Sequence, residues 1–167
     1  MKILFACLLL VLLVATGFSK SKGNKKSEKT TPNPKPADKE TQKCYEKFRR
    51  QHIDNKMTAV KCDSEIGKKK IYNNDNSCKE TNTFILDDPA KVKSICNGDG
   101  EYDEKTNMTK SRQAFKIVVC ELNNQGARKP KCQYKGKELT NRFVSVRCQQ
   151  GLPVHFDDDI LDSKALC

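Results

Sequence analysis

The chain contains two histidines, His52 in KFRRQHID and His155 in LPVHFDDD. Imidazole, with an ordinary pKa of about 6.5, can take or give a proton at neutral pH. One neutral and one protonated imidazole suffice for a reaction in which a base deprotonates a nucleophile while an acid protonates a leaving group. A histidine taken singly is more often structural than catalytic, so the meaning of this pair depends on its surroundings.

Tyr45, Phe48 and His52 fall at i, i+3 and i+7 with Ile53 beside them, which predicts one face of an amphipathic helix. His155 projects from a strand whose Leu152, Val154 and Phe156 share the other side. Between these, Pro89 to Ile95 reads as a short helix that Asp87 or Asp88 could cap. Phe115, Ile117 and Val119 alternate with Lys116, Val118 and Cys120, and Val144, Val146 and Cys148 with Ser145 and Arg147, as strands do. Helices first and strands later predict an α+β fold with an antiparallel sheet.

Met1, Lys2 and the apolar run from Ile3 to Ala15 have the form of a secretory signal, cut near Ser19, so that residues 1–19 are removed and the product is extracellular. Of nine cysteines Cys7 leaves with the signal, and the even set of eight reads as four disulfides. No CxxC occurs and the histidines are far from any cysteine pair, which argues against zinc; no metal or cofactor is expected. With 36% hydrophobic residues and no Trp the core is small, and each bridge adds about 2–4 kcal/mol.

Residues 20–43 hold eight lysines against Glu28, Asp38 and Glu40, three prolines, and Ala37 as the one aliphatic residue. This segment is expected to be a disordered basic arm, either a solvated spacer or a polyanion binder, with the folded domain spanning 44–167. The net charge of +11 suits nucleic acid, heparan-type glycans or anionic membranes, and charge alone does not choose among them.

KFRRQHID (47–54), CKETNTFI (78–85) and LPVHFD (152–157) resemble the three signature blocks of the ribonuclease A superfamily, in the family's order and near its spacing. The resemblance covers essentially all of 44–167, and CDSEIGKKKIY, CQYKG and GLPVH are most similar to its angiogenin-like branch. It implies three short helices packed on a bent antiparallel sheet. It also implies a secreted endoribonuclease that cuts single-stranded RNA 3' of pyrimidines, with His52 as base, His155 as acid and Lys79 stabilising the charged phosphorane. Gln51 and the Phe156 backbone amide would contact phosphate, Asp157 would hold the His155 tautomer, and Thr83, bordered by Phe156, would read the pyrimidine.

The family pairing implies Cys62–Cys120, Cys78–Cys132 and Cys96–Cys148, leaving Cys44 and Cys167 to join as a terminal clasp or to bridge two chains. A monomer is expected. Asn107, in NMT, is a glycosylation sequon. Lys68, Lys69 and Lys70 read either as a receptor or import patch or as a solvated helix end. Host defence or an angiogenin-like role would accompany catalysis. Alternatively, the chain would act on anionic bacterial membranes or a cell-surface receptor as a cationic antimicrobial or angiogenic signal, largely without catalysis.

Overall fold

The computed structural model describes residues 36–161; the expected signal segment, most of the expected basic arm, and Cys167 lie outside the described residues. Helix α1 (Lys39–His52) starts where Asp38 accepts the Thr41 backbone N–H at 2.8 Å. Glu40 adds negative charge to its first turn, and Arg49, Arg50 and His52 place positive or protonatable groups at its partly negative end. The helix thus begins five residues before Cys44, which corrects the boundary expected there. Asp38 also exchanges hydrogen bonds with Gln150, its N–H donating to Oε1 (2.8 Å) and the Gln150 amide donating to Oδ2 (2.7 Å). Ala37 packs on the core, so the end of the arm is folded by a cap and a distant partner.

Tyr45, Phe48 and His52 are buried on one face of α1, as their spacing predicts. A short 3-10 turn (Ala59–Lys61) leads into α2 (Cys62–Lys68), and α3 (Pro89–Ser94) starts with proline under an Asp88 cap that accepts the Ala90 N–H at 2.8 Å. No helix among the described residues is long and apolar enough to cross a membrane.

The strands are β1 (Thr81–Ile85), β2 (Gly100–Asp103), β3 (Met108–Ser111), β4 (Phe115–Leu122), β5 (Tyr134–Gln149) and β6 (Leu152–Leu161). They form one antiparallel sheet in the order β1-β4-β5-β3-β2, with β6 also on β5. The long β5 is the spine, pairing with β4 through its first half and with β6 through its second. Both faces are covered. Ile117, Val119, Val144 and Val146 join Tyr45, Phe48 and Val92 in one core, while Phe84, Val118 and Tyr134 join Ile66 and Ile71 in another. This explains why β4 is apolar on both sides.

Disulfides Cys62–Cys120 and Cys96–Cys148 tie α2 and the turn after α3 to the sheet, and Cys78–Cys132 joins the lead into β1 to the lead into β5. Cys44 is half-buried and joined to none of the described cysteines, its expected partner being outside them. Where β5 crosses the 3-10 turn only glycine fits: a β-carbon on Gly136 would lie 2.0 Å from the Ala59 carbonyl oxygen. The result is the expected α+β, disulfide-rich architecture.

Candidate active site

His52 ends α1 with only 8% of its surface exposed. Its Nδ1 lies 2.9 Å from the Thr83 carbonyl oxygen. A carbonyl can only accept, so Nδ1 carries the hydrogen and Nε2 keeps its lone pair. The Phe156 ring stacks on the imidazole, centroids 5.1 Å apart and planes 16° from parallel. Burial, aided by the positive charge of Lys79 and His155 and opposed by the Thr83 carbonyl, pushes the His52 pKa down to about 4. The ring is therefore neutral at pH 7, as a base must be.

The last turn of α1 is fastened to β1. Besides the His52–Thr83 bond, the buried Asn82 amide donates to the Gln51 carbonyl at 2.9 Å, and the Asp54 N–H donates to the Ile85 carbonyl at 3.1 Å. Lys79 lies just before this strand, beside Cys78 of the Cys78–Cys132 bridge, and its carbonyl accepts the Tyr134 hydroxyl at 2.9 Å. Burial, then the nearby Lys47, lowers the ammonium pKa of Lys79 from its ordinary value. That cost of crowding and desolvating a cation is what an arriving anion relieves.

β6 supplies the other wall. His155 stands opposite Arg147, and its pKa is lowered by partial burial and then by Arg147, with Asp157 pulling the other way and Lys79 adding to the lowering. Asp157 is exposed and acts on His155 as a charge; no hydrogen bond joins the two side chains. Its carboxylate sits at an irregularity in the β5–β6 register.

A cleft of about 680 Å³ is bordered by Gln51, His52, Lys79, Thr83, His155, Phe156 and Asp157, so all seven expected residues meet although they come from opposite ends of the chain. A larger, open groove of about 1330 Å³ runs along α1 and contains neither histidine, so size does not mark the chemistry. Among the described residues no three His, Cys, Asp or Glu side chains gather as metal ligands. The cleft combines a neutral base, a second imidazole able to donate, and a desolvated ammonium: the components for displacement at phosphorus.

Sequence reasoning missed Asn82 and Tyr134 as positioning residues. Both lie inside quoted motifs, but their partners are backbone carbonyls, which a sequence does not display. In the Lys68–Lys70 run Lys69 pairs with Asp54 (3.0 Å) and Glu65 (3.7 Å), Lys68 with Glu65 (3.7 Å), and Lys70 is exposed. Asn107 is exposed between β2 and β3 in left-handed backbone (φ 56°), its side-chain oxygen accepting the Tyr102 hydroxyl.

The two lowered imidazoles set an expected pH profile for any base–acid reaction carried out in the cleft. kcat/KM should rise as His52 loses its proton near pH 4 and fall as His155 loses its own below the ordinary histidine value. The optimum then lies on the acid side of about pH 6.5. Initial rates from pH 3 to 9 measure it, and a plateau persisting above pH 7 would contradict the assignment.

The family model described as pancreatic ribonuclease matches residues 43–157. Ribonuclease-like 3 of Danio rerio is 31% identical over 125 residues, covering 73% of this chain and 83% of that protein. Angiogenin-3 of Mus musculus is 35% identical over 122 residues, covering 70% and 79%. The X-ray structure of zebrafish RNase5 matches with a TM-score of 0.69 and 38% identity, covering 74% of this chain and 99% of that one.

Proposed function

The chain belongs to the pancreatic ribonuclease family and to its angiogenin-like branch, and on that footing we propose that it is a secreted endoribonuclease cutting single-stranded RNA 3' of pyrimidines. His52 Nε2 takes the proton of the ribose 2'-hydroxyl, whose oxygen attacks the adjacent phosphorus. The bond from phosphorus to the 5'-oxygen breaks, and His155 protonates that oxygen, leaving a 2',3'-cyclic phosphate. Water then opens the ring with the two roles exchanged. Lys79, with Gln51 and the Phe156 amide, stabilises the negative charge on the five-coordinate phosphorus. Thr83 reads the pyrimidine, because a hydroxyl can donate or accept and so fits both uracil and cytosine.

The observation carrying this reading is the His52 tautomer: the Thr83 carbonyl at 2.9 Å holds the hydrogen on Nδ1 and leaves Nε2 as a base in a cleft shared with Lys79 and His155. Secretion fits the signal-like start and three bridges that need an oxidising compartment. A Cys44–Cys167 clasp, a monomeric state and a polyanion-binding arm belong to the same proposal. A short fluorescent single-stranded RNA should be cut at an undiminished rate in EDTA, the fragments ending in pyrimidine cyclic phosphates. Loss of cleavage with chelator, or cuts spread evenly after all four bases, would overturn it.

One observation favours a second reading, a cationic antimicrobial or angiogenic signal acting without catalysis. Lys39, Lys43, Lys47 and Arg50 stand exposed at i, i+4, i+8 and i+11 along α1, one basic stripe suited to anionic membranes or glycans. Replacing both histidines would leave such an activity intact.

A further inference from the structure

The sheet face that floors the cleft continues beyond Phe156. Thr83 stands opposite Val119, Arg142 opposite Phe115, and Val144 opposite Asp159. Opposed residues of an antiparallel pair project to the same side. Val119, Phe115 and Val144 all belong to one core, so Thr83, Arg142 and Asp159 share its face. Strict alternation along β6 would instead put Asp159 with His155, on the side away from Phe156. The register shift between Ser145 and Val146, where Phe156 and Asp158 face consecutive residues of β5 and Asp157 is extra, brings Asp159 round to the Phe156 side.

Asp159 borders the same cleft as Thr83, Val119 and Phe156, whereas Arg142 does not. Its side chain is 15% exposed, and its Oδ2 lies 3.4 Å from Arg142 Nε. Burial raises its carboxyl pKa, while Arg142 works to keep it ionised. The group presented to the pocket is therefore a desolvated acceptor with its partner cation set to one side.

Cytosine and uracil differ at the 4-position, where one carries an amino donor and the other a carbonyl acceptor. A threonine hydroxyl adapts to either base and cannot separate them; a carboxylate accepts from the amino group and repels the carbonyl. We infer that Asp159 is a specificity-determining residue that makes the base pocket prefer cytosine to uracil on the 5' side of the cut. Arg142 acts as the positioning residue that aims the carboxylate. The inference rests on the ribonuclease reading above.

The test compares kcat/KM on cytidylyl-adenosine and uridylyl-adenosine for the wild type and Asp159→Asn, with Tm recorded for both. The wild type should favour the cytidine substrate by about tenfold, the scale of one well-placed polar contact in base recognition. Asp159→Asn, whose amide can turn to donate or accept, should bring the two rates within about twofold. Binding of 3'-CMP against 3'-UMP to the unaltered protein is read alongside, so that an unstable variant does not decide the matter. Equal use of the two substrates and equal binding by the wild type, or an unchanged ratio in a folded Asp159→Asn, would overturn the role of Asp159 while leaving the ribonuclease reading in place. Failure of the wild type to cleave either dinucleotide would overturn that reading, and this inference with it.

Discussion

His52→Ala and His155→Ala should each lower kcat/KM for RNA by about 10²–10⁴-fold, the range that a positioned acid or base contributes. In the proposed mechanism the two imidazoles serve one proton-transfer cycle: without the base the 2'-oxygen is not activated, and without the acid the 5'-oxygen leaves as a high-energy anion. The double variant should therefore fall little below the worse single one, because groups acting as a unit are not additive. His52→Ala also removes a buried ring that packs on Phe48 and Phe156 and leaves the Thr83 carbonyl without its donor. It should melt at lower temperature than His155→Ala, whose ring is exposed. Cleavage assays with thermal melts separate the two effects, and full activity in either folded variant would sink the mechanism.

Lys79→Ala should lower kcat by about 10²–10³-fold while changing KM little. The negative charge that an ammonium meets at phosphorus grows from ground state to transition state, so its loss falls on the chemical step. Its setting adds to this, since burial and Lys47 already disfavour the isolated cation. Lys79→Arg should restore only part of the rate, because a planar fork does not reproduce a compact point charge held by a backbone that Cys78 and Tyr134 fix. Steady-state kinetics on a dinucleotide read the split, and a pure KM defect would contradict the role.

What the sequence displayed and what it hid follow from where each residue's partner lies. The α1 face was legible because Tyr45, Phe48 and His52 are local neighbours on a 3.6-residue period. Its start was not, because the decisive partner of Asp38 is Gln150, 112 positions away. β1 lay unrecognised as a strand inside CKETNTFI: four of its five residues are buried, Asn82 and Thr83 among them, so no polar–apolar alternation marks it. The β2–β3 hairpin was missed for the opposite reason, since β2 is largely exposed and carries no apolar stripe. His52, Lys79 and His155 were legible as members of motifs, and the structure places them around one cleft. The placement of Asp159 depends on a register shift, which is a property of two strands together and invisible in either one.

The segment that carries His52, the proposed base, is stitched to the rest differently from everything else. The three described disulfides join residues from Cys62 onward, so α1 is held by packing, the Asp38–Gln150 exchange and the few bonds to β1. A single proteolytic nick between residues 54 and 61 would divide the molecule into two fragments, one bearing His52 and the other Lys79 and His155. Activity would then become second order, rising with dilution-sensitive reassociation of the halves, unless a Cys44–Cys167 bridge kept them on one covalent leash.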